Sequence, residues 1–235
     1  MTHSKTVRES YYIETGKLQI KYLIGKRRLM YLWHILSRDQ DELISKVYMA
    51  QSLKPTNNDW FNMIQKEKIF YEIDFTDEQI SGMTRPQFKK IVDDKVNKKS
   101  LLLICQTGKS KVSRLTPNIQ DGKVVIQPYL TSTKLSTEQK QQLFSLRCRN
   151  FNVKSNYKTQ YSDDMTCRIC CDPKSYENEI HTFQCEKLLS DIEIEDGIKF
   201  DDIFGNLESQ IRVMNSYIHV IRKRNLFLEI KENRK

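Results

Sequence analysis

Cys167-Arg-Ile-Cys-Cys-Asp-Pro-Lys-Ser-Tyr-Glu-Asn-Glu-Ile-His181-Thr-Phe-Gln-Cys185 is the densest run of chemistry-bearing residues in this sequence. Cys167 and Cys170 are followed after ten residues by His181 and after three more by Cys185, a C-x2-C-x10-H-x3-C pattern. Three thiols and an imidazole at this spacing suit a tetrahedral zinc ion. The first pair can chelate from a tight knuckle, while His181 and Cys185, four apart, are expected on one face of a helix through Leu189. A filled Cys3His set leaves no open position for water, so its expected role is folding, worth about 10 kcal/mol or more to the local structure. Cys171 is a spare thiol that could replace Cys170. The alternative is a set of buried cysteines beside an incidental histidine. Cys105 and Cys148 have no Cys or His near them in sequence and are expected in the core.

Upstream of this knuckle, no carboxylate occurs between Glu138 and Asp163, whereas Lys140, Arg147, Arg149, Lys154 and Lys158 supply cations, with Phe151 and Tyr157 among them. That stripe suits a nucleic-acid backbone and unpaired bases. It begins on a helix that Ser136 and Gln139 open as a capping box and that runs through Leu143, Phe144 and Leu146 to Arg149. The whole chain agrees in sign: 39 Lys and Arg against 30 Asp and Glu leave +9, which favours polyanionic partners. Downstream, Glu186 to Glu208 is acidic and reads as a linker or a face that binds nothing. Leu207, Ile211, Met214, Ile218 and Ile221 then mark a final helix by steps of four and three, with Arg222, Lys223 and Arg224 expected at its end, where cations suit the helix dipole.

The N-terminal half reads as a stack of helices. Leu29, Leu32, Trp33 and Leu36 form one stripe, entered by Lys26, Arg27 and Arg28, cations that also suit nucleic acid, and Gly25 loosens the chain just before it. Asp39 and Glu42 resemble a capping box ahead of Leu43, Ile44, Val47 and Tyr48, and Asp59 can cap a helix bearing Trp60, Met63 and Ile64. A longer helix from about Pro86 turns Phe88, Ile91, Val92 and Val96 inward and Lys89, Lys90, Lys95, Lys98 and Lys99 mostly outward; Gly108 to Ser113 breaks the pattern. Gly122 to Pro128 reads as a short strand. The expectation is a mainly α protein divided at 1–135 (basic helices), 136–190 (basic helix and zinc knuckle) and 191–235 (acidic linker and amphipathic helix).

Seven glycines form no phosphate-cradling motif, so P-loop and dinucleotide-fold chemistry lose their signatures. The longest apolar run, Leu101 to Cys105, is too short to cross a bilayer. The N-terminus lacks a signal peptide's apolar segment, so the expected location is intracellular, nuclear or cytoplasmic, with reduced thiols. Tyr161-Ser-Asp-Asp164 imitates a polymerase metal box without its apolar flanks. Asp201 or Asp202 with Glu229 and Lys231 imitate a nuclease D…ExK set. His34 and His219 sit among apolar residues and read as structural.

Several segments together resemble the region that follows the polymerase core in non-LTR retrotransposon reverse transcriptases. They are Glu14-Thr-Gly-Lys-Leu-Gln-Ile-Lys, Arg27-Arg-Leu-Met-Tyr-Leu-Trp-His-Ile-Leu, Asp41-Glu-Leu-Ile-Ser-Lys-Val-Tyr, Leu143-Phe-Ser-Leu-Arg-Cys-Arg, the Cys/Cys/His/Cys knuckle, and Asp201-Asp-Ile-Phe-Gly-Asn. The resemblance implies thumb-like helices followed by a zinc knuckle that helps hold template RNA or target DNA. It implies Cys167, Cys170, His181 and Cys185 as zinc ligands, with Arg147 and Arg149 on the approach to them. The catalytic palm would lie upstream of Met1, which makes this chain an expected non-catalytic fragment, with the parent palm a possible partner. The knuckle spacing departs from the retroviral C-x2-C-x4-H-x4-C form, so retroviral RNA packaging is not carried over. The leading expectation is a zinc-containing module gripping RNA or DNA chiefly through phosphates; the rivals are a metal-dependent nuclease and a protein-interaction module.

Overall fold

Apolar side chains gather into two separate cores in this protein, one built from residues between Tyr22 and Val96 and the other from residues between Tyr129 and Leu228. The structure, a computed structural model, describes residues 8–106, 114–157, 160–161 and 164–233; the side chains of residues 8, 105 and 106 also lie outside this description. It is mainly helical, with one two-stranded sheet among the described residues. None of its helices is long and apolar enough to cross a membrane. One compact unit comprises 16–107 and 119–125; the other comprises 1–15, 108–118 and 126–235. The expected boundaries at 135/136 and 190/191 therefore both fall inside the second of these.

The first unit contains α2 (Ile20–Leu36), α3 (Leu43–Leu53), α4 (Trp60–Phe70), α5 (Asp77–Ser81) and α6 (Arg85–Gln106). Leu29, Leu32 and Ile35 of α2 meet Phe88, Val92 and Val96 of α6 in one core with Tyr48, Ile64 and Tyr71. Asp59 caps α4 by accepting the Asn62 N–H, as its position predicts. The expected Asp39/Glu42 capping box does not form: Glu42 is the cap residue and makes no side-chain cap bond, while Asp39 accepts from the Asp41 N–H two residues on. Gly25 also departs from expectation. It lies inside α2, buried, and a Cβ there would come within 2.5 Å of the Tyr71 hydroxyl and 2.7 Å of its ring. Its smallness lets a helix and a tyrosine touch, and loosens nothing. The strand expected at Gly122 is β2 (Lys123–Val125), paired with β1 (Asn118–Gln120) through Asp121 and Gly122, both at positive φ, the two-residue turn that matches strand twist.

The second unit contains α1 (Arg8–Thr15), α7 (Pro128–Thr131), α8 (Thr137–Arg147), α9 (Glu179–Thr182), α10 (Glu186–Leu189) and α11 (Leu207–Glu232). The Ser136/Gln139 capping box opens α8. The predicted stripe of α11 faces the core, with Met214, Ile218 and Ile221 buried and Leu207 and Ile211 packed against them. This helix continues to Glu232, so Arg222, Lys223 and Arg224 lie within it rather than at its end. They are spent on ion pairs instead: Arg222 with Glu138, Lys223 with Asp191, and Arg224 with Glu177. Nor is the acidic stretch a linker. Ile192, Ile194, Ile198, Phe200 and Phe204 pack onto the core while the carboxylates between them face outward. Their alternation with Asp and Glu hid them from a reading by net charge.

Candidate metal centre

The knuckle is held in shape before any ion is considered. Thr166 and Tyr176 pair as an antiparallel bridge, and the Cys167 N–H donates to the Ser175 carbonyl at 2.9 Å. Asp172 ties the return, accepting from the Lys174 N–H at 3.0 Å and the Ser175 hydroxyl at 2.7 Å. The Ile169 N–H points at the Cys167 sulfur, 3.4 Å away. On the other side Asn178 caps α9 by accepting the His181 N–H at 2.7 Å. His181 and Cys185 do not share one helix, as their spacing suggested: the chain breaks after Thr182, and Cys185 is the residue that caps α10. The break swings both donors to one point.

Sγ of Cys167, Cys170 and Cys185 and a ring nitrogen of His181 all lie within 4.8 Å of one another, an arrangement that could hold a metal ion. Cys170 Sγ and His181 Nε2 are 3.5 Å apart. A tetrahedral centre with bonds of about 2.3 Å to sulfur and 2.0 Å to nitrogen has an S···N edge of about 3.5 Å, so this pair already stands at ligand spacing. Cys171 lies outside the group; it is exposed, at φ +58°, and near the Lys231 ammonium. Burial pushes the Cys167 thiol up to about 12 and also raises Cys185. Cys170 is lowered despite burial, because the Asp172 N–H and its neighbours favour its thiolate. Two of the three thiols thus resist ionising without a cation beside them.

Behind the knuckle lies a charged group that the sequence reading missed. Glu177, buried, accepts from Arg168 through its backbone N–H (2.9 Å), Nε (3.0 Å) and Nη2 (2.7 Å), and from Arg224 Nη2 at 2.8 Å. Arg224 also lies over the Phe151 ring and within electrostatic reach of Cys167. Two cations and one carboxylate leave one positive charge there. A divalent ion with three thiolates and a neutral imidazole leaves one negative charge, so a loaded centre and this cluster compensate each other. Arg168, inside the knuckle itself, was the available signal for such a partner. Lys231 donates to the Arg168 carbonyl from the end of α11.

The cationic stripe fares differently from the ligands. Arg147 is only 2% exposed: its guanidinium holds Glu14, itself fully buried, through Nε at 3.1 Å, and donates to the Ile203 carbonyl at 2.6 Å, while Tyr129 donates to the same carboxylate at 2.6 Å. Lys154 is 4% exposed and pairs with Asp164, whose carboxyl it pulls down to about 2. Phe151 is buried as well. These three cannot meet a nucleic acid at the surface. Their long stems and the Phe151 ring fill core positions, and a charge count along the chain carries no information about that. Tyr157 and Lys140 are half-buried, and Lys158 lies outside the described residues. Arg149 reaches solvent, with 40% of its side chain exposed. Of the N-terminal trio, Lys26 and Arg28 pair with Asp93 and Glu67, and Arg27 is exposed.

The remaining candidates scatter. Asp201 pairs with Arg114, Asp202 accepts the Lys199 N–H, and Glu229 is exposed; among the described residues no second group of three or more Cys, His, Asp or Glu converges as the knuckle does. Ser162 and Asp163 lie outside the described residues, as do Gly108 to Ser113. Cys148 is buried in the core as expected, and the side chain of Cys105 lies outside the description. His34 stacks on Tyr31, whereas His219 is exposed rather than structural. No family model, curated protein or solved structure matches this chain.

Proposed function

We propose that this chain is a non-catalytic nucleic-acid-binding module whose knuckle-bearing unit is held together by zinc. The observation that carries the reading is the convergence of Cys167, Cys170, His181 and Cys185 to within 4.8 Å of one another. Sulfur and imidazole donors in a tetrahedral set favour zinc over calcium or magnesium, which take oxygen. Zinc bound there supplies charge and a cross-link, and the four side chains fill its coordination, so no water is activated. A net charge of +9 supports a polyanionic ligand. The resemblance to the region after a retrotransposon polymerase core supports template RNA or target DNA as that ligand. Phosphate contacts then fall to outward cations such as Arg27 and Arg149 instead of Arg147 and Lys154.

The test is elemental analysis of the purified protein and of Cys167→Ser and His181→Ala variants, followed by binding of RNA and DNA over a range of salt. One zinc per wild-type chain, lost in both variants, and affinity that falls steeply with salt are expected. A folded protein without zinc, or oligonucleotides that fail to bind, overturns the reading. A protein-interaction module is the second reading, favoured by one observation: Leu43, Val47 and Leu53 stand exposed along α3, as do Ile20 and Ile24 along α2.

A further inference from the structure

Within the second unit, a cavity of about 220 Å³ opens beside the C-terminus of α8 and the start of α9. Phe200, Phe204, Leu146 and Ile180 make its apolar lining, and Tyr176, itself exposed, stands at one side. Arg114 and Arg149 border it. Arg114 lies over the Phe204 ring, and its ion pair with Asp201 joins two exposed side chains, 55% and 74% accessible, which water screens and a stronger anion can displace. Arg149 stands 3.9 Å from Glu179, too far for a hydrogen bond. The Ser155 hydroxyl, buried in the same lining, has no hydrogen-bond partner among the described residues.

Arg149 adds an independent sign. It sits at φ +51°, in the position after a helix where glycine is usual, and the Asn150 N–H closes the turn onto the Ser145 carbonyl at 2.8 Å. An arginine there holds a left-handed backbone that L side chains rarely adopt. Its charge is displayed at the cavity.

We propose that this cavity takes one unpaired nucleotide of a bound strand, its base against the aromatic wall and its phosphate between Arg114 and Arg149. The assignment rests on the nucleic-acid reading above and names the place where such a strand is held. Flat apolar walls suit any base face, and two guanidiniums suit a phosphate in bidentate fashion. Ser155 offers a hydrogen-bonding group to the base edge. A cavity this small fits a splayed-out nucleotide, and a duplex, whose bases are stacked and paired, presents nothing that can enter.

The experiment uses the full, metal-loaded chain, a labelled single strand of about ten nucleotides and a duplex of the same sequence. Arg114→Gln and Arg149→Gln are each expected to weaken single-strand binding and to make its salt slope shallower by about 0.7, one phosphate contact. Ile180→Trp, which fills the cavity from a partly exposed position, is expected to weaken single-strand binding about tenfold while duplex binding stays as in the wild type. Wild-type single-strand affinity in all three variants overturns the cavity assignment and leaves the nucleic-acid reading standing. Failure of the wild type to bind any oligonucleotide overturns both. Should Ile180→Trp not fold, the two exposed arginine variants decide by themselves.

Discussion

The two units of this protein fill their cores with different chemistry. The unit built from α2 to α6 buries leucine, isoleucine, valine and phenylalanine, with tyrosines whose hydroxyls find partners such as Asp77. The knuckle-bearing unit buries, beside its apolar residues, the Glu14–Arg147 pair, the Arg168–Glu177–Arg224 cluster and the thiols of Cys148, Cys167 and Cys185. Apolar burial stabilises in rough proportion to area and tolerates exchange of one residue for another of similar volume. Buried charge stabilises only when each partner is present, and loses several kcal/mol when one is removed. The first unit is therefore expected to degrade gradually under substitution, the second abruptly.

The largest test of that contrast is metal removal. A structural zinc contributes about 10 kcal/mol or more, comparable with the whole stability of a domain. Chelation, or Cys167→Ser, is expected to lower protection from hydrogen exchange across α8 to α11 far more than across α2 to α6. Equal loss in both units would break the comparison. Next in size is the ion pair. Glu14→Gln leaves Arg147 buried without its counter-charge and is expected to cost about 3–5 kcal/mol by denaturant unfolding, whereas joint replacement, Glu14→Leu with Arg147→Met, recovers most of it. In the first unit, Gly25→Ala gains about 1 kcal/mol of helix propensity but forces a methyl into the Tyr71 ring, at about 1–3 kcal/mol. A net loss near 1 kcal/mol is expected, and a stabilised protein would show that α2 and Tyr71 can move apart.

The pH dependence sharpens the comparison further, because its sign reverses with the metal. In the metal-free fold Cys167 stays protonated up to about 12, whereas an unfolded cysteine ionises near 8.5. Its contribution to stability is thus fully present below about 8.5 and is lost as pH rises toward 12. In the loaded fold the ion displaces protons from the thiols, so metal affinity, and the stability it brings, rises with pH and fails on acidification. Thermal melts should therefore show the metal-free protein losing stability above about 8.5, where Cys167 is held protonated against its unfolded tendency, and the zinc-loaded protein losing it on acidification; a loaded protein whose melting temperature ignores acidification would remove the thiols from the coordination.

Where local chemistry fixes the outcome, the sequence sufficed. Ser136 with Gln139, Asp59 and the stripe of α11 each act over a few residues, and each formed as its spacing required. The four donors were legible for the same reason, since ligand chemistry constrains residue type as well as interval. What failed depended on partners far along the chain. Arg147 and Arg149 are two residues apart and chemically alike, yet one is buried against Glu14, 133 positions away, and the other reaches solvent. The same holds for the acidic stretch after Cys185, whose isoleucines and phenylalanines found a core that charge counting did not reveal. Sequence by itself determined the apolar stripes of the long helices, the caps at Asp59 and Ser136 and the donor set, because those are short-range. Tertiary structure alone decided which cations are buried in ion pairs and which reach solvent, because burial belongs to the packed fold and to no residue in it.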